Sequence, residues 1–310
     1  MSSILVVGSV ALDSVKTPEG ESKNALGGSA VYFSLAARLF AQVSMVGVVG
    51  QDFPAAHRQM LSERGVDLSG LKETAGETFR WVGEFDRDLS DAKTLETHLN
   101  VFRTFRPALS SAHRKSRAVF LANIDPDIQA DVLDQMESPS IVACDTMNYW
   151  INSKPEALKK LLGRVHIFFA NEEEAKKLTN QVNLFCAARL ISEWGPSIVV
   201  IKKGEHGVVL KAGRRLLAFP AFPMETLKDP TGAGDSFAGG FMGCLMAGGG
   251  AADEDSLKRA ALYGTILASF DIEEFSTRRL ERVSRKDVEE RLADFLGRLG
   301  VRTGALLDAA

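Results

Sequence analysis

The sequence has little cysteine, no long apolar run and no strong charge of either sign. Its three cysteines, Cys144, Cys186 and Cys244, are odd in number and far apart, so they predict neither a zinc site nor a disulfide framework. No apolar run approaches the ~18 residues of a membrane span. The net charge of -3 over 310 residues provides no basic field for nucleic acid or an anionic membrane. We therefore expect a cytoplasmic protein with neither of these partners.

Short apolar runs alternate along the chain with segments of helical length. The runs that indicate buried strands lie at 4–8, 43–50, 118–122, 141–145, 167–171 and 197–204, and helical segments lie at 29–40, 126–136 and 183–194. This alternation is typical of an α/β fold, in which a mostly parallel central sheet has helices on both faces. The sequence predicts one such domain over 1–310. Ligands of such sheets bind beyond the carboxyl ends of the strands.

Two segments have a period of two instead. In 78–88, Phe79, Trp81 and Phe85 share one face. In 94–102 the alternation sets two faces against each other, Leu95, Leu99 and Val101 against Thr94, Glu96, His98 and Asn100. Together with the polar turn at 87–93, this pattern predicts two half-exposed antiparallel strands. We expect a small antiparallel β lid, formed by about 12–25 and 77–103. Its aromatic face leaves three roles open: packing of the lid, contact with a ligand, or a homodimer through the lid.

The stretch DPTGAGDSFAGGFMG at 229–243 carries the strongest chemical signal. Gly232 and Gly234 permit backbone angles that other residues avoid, and an apolar helix is predicted to begin near Asp235. A glycine turn that leads into a helix presents unpaired N–H groups and the positive end of the helix dipole to an anion. The stretch is not a P-loop, because no Lys-Ser or Lys-Thr follows its last glycine. The sequence therefore predicts a phosphate-binding turn of another kind.

Asp235 has two interpretations. An aspartate at a helix start is commonly an N-cap. A site that only held phosphate would not, however, place a negative charge among its donors, whereas an ionised carboxylate can orient a hydroxyl and accept its proton during phosphoryl transfer.

Taken together, these motifs resemble the ribokinase-like family, also called the PfkB carbohydrate kinases. DPTGAGDSFAGGF is similar to the family's C-terminal signature, and LGGSAVYFSLAARL to its N-terminal double-glycine motif. ANEEEAKKL resembles its Asn-x-x-Glu element, IKKGEHGVVL its nucleotide-binding strand and turn, and VGSVALDSV its first strand. The alternating strands resemble its lid. The resemblance covers essentially the whole chain.

The resemblance implies a role for each matching residue. Asp235 would be the general base, and the amides around Gly232, Ala233 and Gly234 would stabilise the transferred phosphoryl group. Residues that would bind the substrate are Asp13, Gly27, Gly28 and Ser29. Residues that would meet the nucleotide are Lys202, Gly204, Gly207 and Thr231, with Lys203 as the alternative to Lys202. Asn171 and Glu174 would hold Mg²⁺ through water, although the same pair can be a helix capping box. Asp145 and Asn148 border the site as further candidates, with turn chemistry as the alternative.

The resemblance implies an ATP-dependent kinase that phosphorylates a hydroxyl, expected to be primary, of a small sugar or sugar-like substrate. Its cofactors would be ATP and Mg²⁺, and many relatives also use a monovalent cation such as K⁺ near the loop after the catalytic helix. A nucleoside kinase of the same fold is the nearest alternative, because the lid aromatics could stack on a base. A catalytically idle sugar-sensing protein and an NAD-dependent oxidoreductase are alternatives from other classes. The oxidoreductase lacks its glycine fingerprint after the first strand.

Overall fold

The computed structural model describes residues 3–87, 89 and 92–300; the rest of the predicted domain and part of the predicted turn at 87–93 lie outside these residues. The strands, in chain order, are β1 (Ser3–Val7), β2 (Ala11–Thr17), β3 (Gly20–Gly27), β4 (Gln42–Gly50), β5 (Val66–Thr74), β6 (Phe79–Phe85), β7 (Ala92–His98), β8 (Ala118–Leu121), β9 (Ile141–Cys144), β10 (Ile167–Asn171), β11 (Ile198–Lys202), β12 (Val208–Ala212) and β13 (Arg215–Phe219).

The α-helices, again in chain order, are α1 (Ser29–Ala37), α2 (Ala55–Glu63), α3 (Ser111–Arg114), α4 (Pro126–Gln135), α5 (Asn148–Ser153), α6 (Pro155–Leu162), α7 (Glu172–Thr179), α8 (Leu184–Glu193), α9 (Ala233–Ala247), α10 (Glu254–Asp271) and α11 (Arg285–Arg298). Every strand and helix predicted from the sequence is present within a few residues of its expected bounds.

The large sheet has nine strands in the order β13-β12-β11-β10-β9-β8-β1-β4-β5. All pairs from β11 to β5 are parallel, and only β12 and β13 add antiparallel neighbours at one edge. Alternate residues of β1 enter different cores: Ile4 and Val6 pack on one face of the sheet, Leu5 and Val7 on the other. This arrangement confirms the predicted α/β fold and explains why its strands are apolar throughout.

Helices cover both faces. The core on one face includes side chains of α1, α9, α10 and α11, and the core on the other face includes side chains of α4, α6 and α8. α9 lies close to two neighbouring helices, because Cβ atoms added to Gly239 and Gly240 would be 2.4 Å from the Phe33 carbonyl oxygen and 2.9 Å from the Tyr263 carbonyl oxygen. The glycines that weaken this helix in isolation therefore permit its close packing.

A second sheet, which we call the lid, has the strand order β3-β2-β6-β7. Its outer pairs β2–β3 and β6–β7 are antiparallel, and its central pair β2–β6 is parallel. A register shift in β7 disturbs the predicted alternation: Thr94 pairs with Gly83, whereas Glu96 pairs with Val82. Thr94 and Glu96 therefore lie on opposite faces, because a β-bulge inserts one extra residue between them.

Candidate active site

The glycine-rich turn and α9 begin two residues earlier than predicted. Gly232 occupies the N-cap position with φ 88°, and the helix starts at Ala233. Asp235 is therefore the third residue of the first turn, and the N-cap interpretation of this side chain is wrong. Its carboxylate instead lies at the positive end of the helix dipole, near the carboxyl ends of the central strands.

The turn admits only glycine at position 232. Its φ is positive, and a Cβ atom there would lie 2.3 Å from Cδ1 of Tyr32 on α1. Contact with the Tyr32 ring thus sets how closely the turn packs against α1. Nothing in the sequence pattern singles out Tyr32, which matches the apolar face expected of a buried helix.

The backbone amides of the turn divide into used and free donors. Ala233 N–H donates to the Pro230 carbonyl at 3.2 Å, and Thr231 N–H donates to Asp229 Oδ1 at 2.9 Å. The amides of Gly234 and Asp235 donate no hydrogen bond within the described part of the chain. The Gly232 amide likewise donates none there, so two of the three predicted donors, Gly232 and Gly234, are unpaired, and only Ala233 is used.

Asp235 is a buried carboxylate in a mixed electrostatic field. Burial raises its pKa to about 6, and the nearby Lys202 ammonium and a hydrogen bond with Asp145 act in the opposite direction. A group with this pKa is ionised at neutral pH and is a stronger base than an exposed aspartate.

Lys202 is the lysine that faces this helix. Its Nζ lies 2.7 Å from the position that a Cβ on Gly234 would occupy. Its charge lowers the pKa of Asp145, Glu174 and Asp235. For Lys203 the structure records only a backbone role, in which its N–H donates to the Gly207 carbonyl at 2.8 Å.

Asp145 follows β9 and contacts Asp235 directly. It is fully buried, its Oδ1 has no hydrogen-bond partner among the described residues, and burial followed by the Asp235 charge raises its pKa well above the usual range. Asn148 begins α5 and donates through Nδ2 to Glu173 Oε2 at 3.1 Å, while its Oδ1 is buried without a partner in the same part of the chain. Both side chains therefore have an unused polar atom, and Asp145 has its own beside Asp235.

Asn171 and Glu174 form the capping box of α7. Asn171 N–H donates to Glu174 Oε2 and Glu174 N–H donates to Asn171 Oδ1, both at 2.7 Å. Glu174 also lies near Lys202 and Asp235, and burial raises its pKa to about 7. No cluster of three or more His, Cys, Asp or Glu side chains in the described residues could hold a metal ion by itself. One carboxylate with an amide fits Mg²⁺, which keeps several waters and takes few protein ligands.

Asp13 lies on β2 beneath the double glycine. Burial raises its pKa to about 7, while the Gly28 amide lowers it. A Cβ on Gly27 would be 1.9 Å from Asp13 Oδ2, so the first glycine makes room for this carboxylate. Asp13 Oδ1 has no partner in the described residues. Ser29, in contrast, has a hydroxyl that is already engaged: it accepts a hydrogen bond from Ser9 N–H at 3.3 Å and contacts Ser9 Oγ at 3.1 Å.

The remaining nucleotide candidates are loop positions. Gly204 has φ 54°, and a Cβ there would meet no atom within 4 Å, so its backbone borders open space. Gly207 has φ 84° and is required by packing, because a Cβ would lie 1.9 Å from the Phe219 carbonyl oxygen. The Thr231 hydroxyl is buried without a hydrogen-bond partner among the described residues.

The site combines a helix start that has unpaired amides, an adjacent buried carboxylate and a lysine. Residues 1–281 match the pfkB family of carbohydrate kinases. The chain belongs to the pfkB family. The predicted phosphotransferase with an alcohol acceptor, of the sugar or nucleoside kinase type, is thereby confirmed, and ATP is the donor expected for this family.

Two curated relatives of this pfkB kinase are similar over most of their length. A cytidine kinase of Thermococcus kodakarensis is 31% identical over 78% of this chain and 88% of its own. A nucleoside kinase of Methanothermobacter thermautotrophicus is 27% identical over 88% of this chain and 90% of its own.

Solved structures show the same fold. The nucleoside kinase of Methanocaldococcus jannaschii has a TM-score of 0.77 at 22% identity and covers 95% of this chain and 99% of its own. A putative ribokinase II of E. coli, in complex with ATP and Mg²⁺, has a TM-score of 0.76 at 16% identity and covers 95% of this chain and 100% of its own. No helix in the described residues of the pfkB kinase is both long and apolar enough to cross a membrane.

The lid aromatics of the pfkB kinase separate into two groups. Phe79 stacks on Phe102 with ring centroids 5.4 Å apart, and Phe85 is buried, so both pack the lid. Trp81 is only partly buried, and its Nε1 donates to Thr94 Oγ1 at 3.1 Å. The indole lies across Gly83, where a Cβ would be 2.2 Å from the ring. Trp81 pairs in register with Asp13 on the adjacent parallel strand, so the two side chains share a face.

One further group near the site carried no sequence signal. Asp271, the last residue of α10, is 1% exposed, and neither carboxylate oxygen has a hydrogen-bond partner among the described residues. A monovalent cation near the loop after α9 stays a prediction. The loop that directly follows α9 is a whole helix of 15 residues away from the site, or about 22 Å.

Proposed function

We propose that this kinase transfers the γ-phosphoryl group of ATP to the primary hydroxyl of a nucleoside. The observation that carries the choice of a nucleoside is the pairing of Trp81 with Asp13 on one face of the lid. Adjacent strands lie about 4.8 Å apart, so Asp13 and Trp81 project from neighbouring backbone positions on that face, and the indole leans over Gly83 toward Thr94. A carboxylate accepts hydrogen bonds from two neighbouring hydroxyls, and an indole stacks on a base.

A nucleoside has both parts at about this spacing, whereas a free sugar uses only the carboxylate. The cytidine and nucleoside kinases among the relatives support the same class. The other aromatic side chains of the lid do not compete for this role, because Phe79 and Phe85 are used in packing.

The proposed chemistry uses the start of α9. The substrate hydroxyl would lie against Asp235, which accepts its proton as the phosphoryl group is transferred. The free amides of Gly234 and Asp235 and the Lys202 ammonium would stabilise charge on the transferred group. Closure of the lid would exclude water, which otherwise competes as the acceptor.

Mg²⁺ would be held through water by Asn171 and Glu174, and would supply charge neutralisation at the phosphates when bound. Asp145 and Asn148 would orient those waters with their unused oxygens. Gly204, Gly207 and Thr231 would lie along the nucleotide. We also propose that a monovalent cation such as K⁺ assists the reaction.

A substrate panel tests the proposal. Purified protein is assayed with ATP and Mg²⁺ against cytidine, adenosine, inosine and ribose, and kcat/KM is compared. We expect a nucleoside to be preferred. In a Trp81→Leu variant we expect the KM for that nucleoside to rise about 10-fold or more, because base stacking on an aromatic ring contributes about 1–3 kcal/mol. The matched control is Trp194→Phe, a tryptophan directly after α8 that contacts Lys159 and is remote from the lid.

Two results would contradict a nucleoside substrate. One is a wild-type preference for ribose over every nucleoside. The other is an equal fall in kcat/KM for ribose and for nucleosides in Trp81→Leu, which would show that the indole only supports the lid.

A homodimer through the lid is a further proposal. Its support is the exposed strand β7, in which the apolar side chain of Leu95 is 50% exposed. Sedimentation of the wild type and of Leu95→Asp tests it: a dimer that becomes a monomer in the variant supports the lid interface, and a wild-type monomer at assay concentration rejects it.

A further inference from the structure

Gln129 is a polar side chain buried at the ends of two central strands. It lies on α4 and is 1% exposed. Its Nε2 group donates to the Leu121 carbonyl at 2.9 Å, the Ala122 carbonyl at 3.0 Å and the Asp145 carbonyl at 3.3 Å. Leu121 ends β8, and Asp145 directly follows β9. One amide group therefore bridges the carboxyl ends of both strands.

The backbone ladder leaves part of these strand ends unpaired. The last pair of β8 and β9 is Leu121 with Cys144, and the Asp145 N–H still donates to the Leu121 carbonyl at 3.2 Å. The carbonyls of Ala122 and Asp145 accept no backbone hydrogen bond in the described part of the chain. Both residues are buried. Because buried carbonyls are nearly always paired, the Gln129 amide supplies the donor that both of them need.

This amide connects Asp145 to a fixed part of the large sheet. The Ala122 N–H donates to the Val7 carbonyl at 2.9 Å, so Ala122 is also held by β1. A Cβ atom on Gly8 would be 2.7 Å from the Ala122 Cβ, which leaves Ala122 little room to move. On the other side of the bridge, the Asp145 carboxyl contacts Asp235. The amide thus links the catalytic candidate to the central strands through one intervening residue.

The Gln129 side chain is only half satisfied. Its Oε1 is buried without a partner among the described residues, as are Asp145 Oδ1 and Thr146 Oγ1. Exchanging the two ends of the amide would not satisfy it, because Oε1 would then face three carbonyl oxygens. A methionine of similar length would avoid the cost of the unpaired oxygen. Local rules of this kind are broken mainly at functional sites, which points to a use for the donor end of the amide.

We propose that Gln129 is a positioning residue for phosphoryl transfer, which holds the end of β9 so that the Asp145 carboxyl stays against Asp235. This inference deepens the proposed function, since it rests on Asp235 as the base. The backbone has to set this contact, because no hydrogen bond to Asp145 Oδ1 from the described residues helps to hold the carboxyl. A displacement of about 1 Å at a reacting group can cost about 100-fold in rate, so the support of Asp145 matters for turnover.

The alternative is that Gln129 only stabilises the fold, and Gln129→Met separates the two roles. Methionine keeps the length of the side chain and removes the donor. We expect kcat to fall about 10-fold or more, measured well below the Tm so that the protein is folded. We expect the KM for ATP and for the acceptor to change less than about threefold, since loss of a transition-state interaction lowers kcat and leaves KM. A purely structural role would lower the Tm and leave kcat unchanged.

Val132→Ala is the matched control. Val132 lies one turn further along α4, is fully buried and belongs to the core on that face of the sheet. Its truncation should lower the Tm by leaving a cavity, without removing a hydrogen bond to the strand ends, and kcat should stay within about twofold of the wild type. The proposal is wrong if Gln129→Met retains the wild-type kcat, or if Val132→Ala loses as much kcat as Gln129→Met.

A double-mutant cycle with Asp145→Asn tests whether Gln129 acts through Asp145. Asparagine keeps the backbone carbonyl that Gln129 binds and changes only the side chain. If Gln129 acts through the Asp145 carboxyl, Gln129→Met should lower the kcat of Asp145→Asn by less than about twofold. Losses that multiply in the double variant would show that Gln129 acts elsewhere, and would overturn the proposal.

Gln129→Asn covers the case in which Gln129→Met does not fold. It keeps an amide at this buried position but is one methylene shorter, so it cannot reach both strands. A fall in kcat with unchanged KM supports the proposal, and a wild-type kcat overturns it. Every assay uses the acceptor that the wild type phosphorylates best, so a preference for a sugar would contradict the nucleoside and leave this test intact. A failure of Asp235 as the base would be seen in Asp235→Asn, which leaves Gln129 unchanged.

Discussion

Lys202 Nζ lies 2.7 Å from the position that a Cβ atom on Gly234 would occupy. The absence of a side chain at Gly234 therefore gives the ammonium its place beside the first turn of α9. From there its charge lowers the pKa of Asp235, Asp145 and Glu174, each of which burial alone would raise. Gly234 thus determines the position of the Lys202 ammonium in the site.

Gly234→Ala should reduce kcat without unfolding the protein. A contact below 3.0 Å forces a shift, but the atom that must move is the flexible end of a lysine. Misplacement of a catalytic charge by about 1 Å can cost about 100-fold, so we expect a loss of about 10- to 100-fold in kcat with little change in Tm. Steady-state assays and thermal unfolding measure the two effects.

Gly297→Ala on α11 is the matched control. A Cβ there meets no atom within 4 Å, so alanine should preserve activity and stabilise the helix by up to about 1 kcal/mol. Full activity in Gly234→Ala would show that the placement of Lys202 is not needed.

Asp235→Asn should remove most turnover while ATP still binds. The amide keeps the size of the side chain but cannot accept the proton of the substrate hydroxyl, and general bases typically contribute about 10²- to 10⁴-fold. Turnover and the Kd for ATP are measured in parallel, with the exposed Asp134→Asn as the control for a lost carboxylate. A variant that retains half of the wild-type kcat would exclude Asp235 as the base.

The pH dependence of kcat/KM should show an acid limb between about pH 6 and pH 7, because Asp13, with a pKa of about 7, must also be ionised to bind the substrate. The pKa of Asp235 is about 6, and the base acts only when it is ionised, so activity falls as the pH drops through this value. The profile of kcat/KM reports groups of the free enzyme. Removal of the Lys202 charge should raise the pKa of Asp235 and move the limb to higher pH.

Lys202→Met tests this shift, and Lys203→Met, the next residue along the chain after β11, is its control. Movement of the acid limb in Lys203→Met and not in Lys202→Met would reverse the assignment of the two lysines.

The fold was predictable because its central strands are apolar along their whole length. The runs at 118–122, 141–145 and 167–171 are apolar throughout, and in the structure β8, β9 and β10 are central strands covered on both faces. Strand ends carry the site in such sheets, so Asp145 and Asn171 were identifiable as candidates from their positions alone. The roles of the glycine-rich turn depended on the family resemblance.

Other features depend on tertiary contacts that leave no local pattern. The bulge in β7 follows from its pairing with β6, and the start of α9 at Ala233 from the packing of Gly232 on Tyr32. Asp271 ends a helix whose other residues are mostly buried, and a single sequence does not show that its carboxylate faces inward. The engagement of Ser29 by Ser9 likewise appears only in three dimensions.

Asp13→Asn should make the protein more stable at neutral pH and unable to bind its substrate well. Burial raises the pKa of Asp13 from 3.8 to about 7, so between these values the folded state holds a proton that the unfolded state has released. The free energy of unfolding of the wild type therefore falls as pH rises from about 4 to 7 and is flat above this window. At about 1.4 kcal/mol per pKa unit, the stabilisation of Asp13→Asn at pH 8 should be about 1–4 kcal/mol, and it should vanish near pH 4.

Chemical denaturation of both proteins at several pH values measures this difference, with Asp134→Asn as a control that should show no such trend. The gain in stability and the loss of substrate binding have one physical origin. The Asp13 carboxylate would bind two hydroxyls of the substrate, and without substrate one of its oxygens has no partner in the described residues. Substrate hydroxyls would satisfy that oxygen, so substrate binding should stabilise the wild type and not the variant. A variant that is less stable than the wild type at pH 8 would show that Asp13 is satisfied within the free protein, and would weaken its assignment to the substrate.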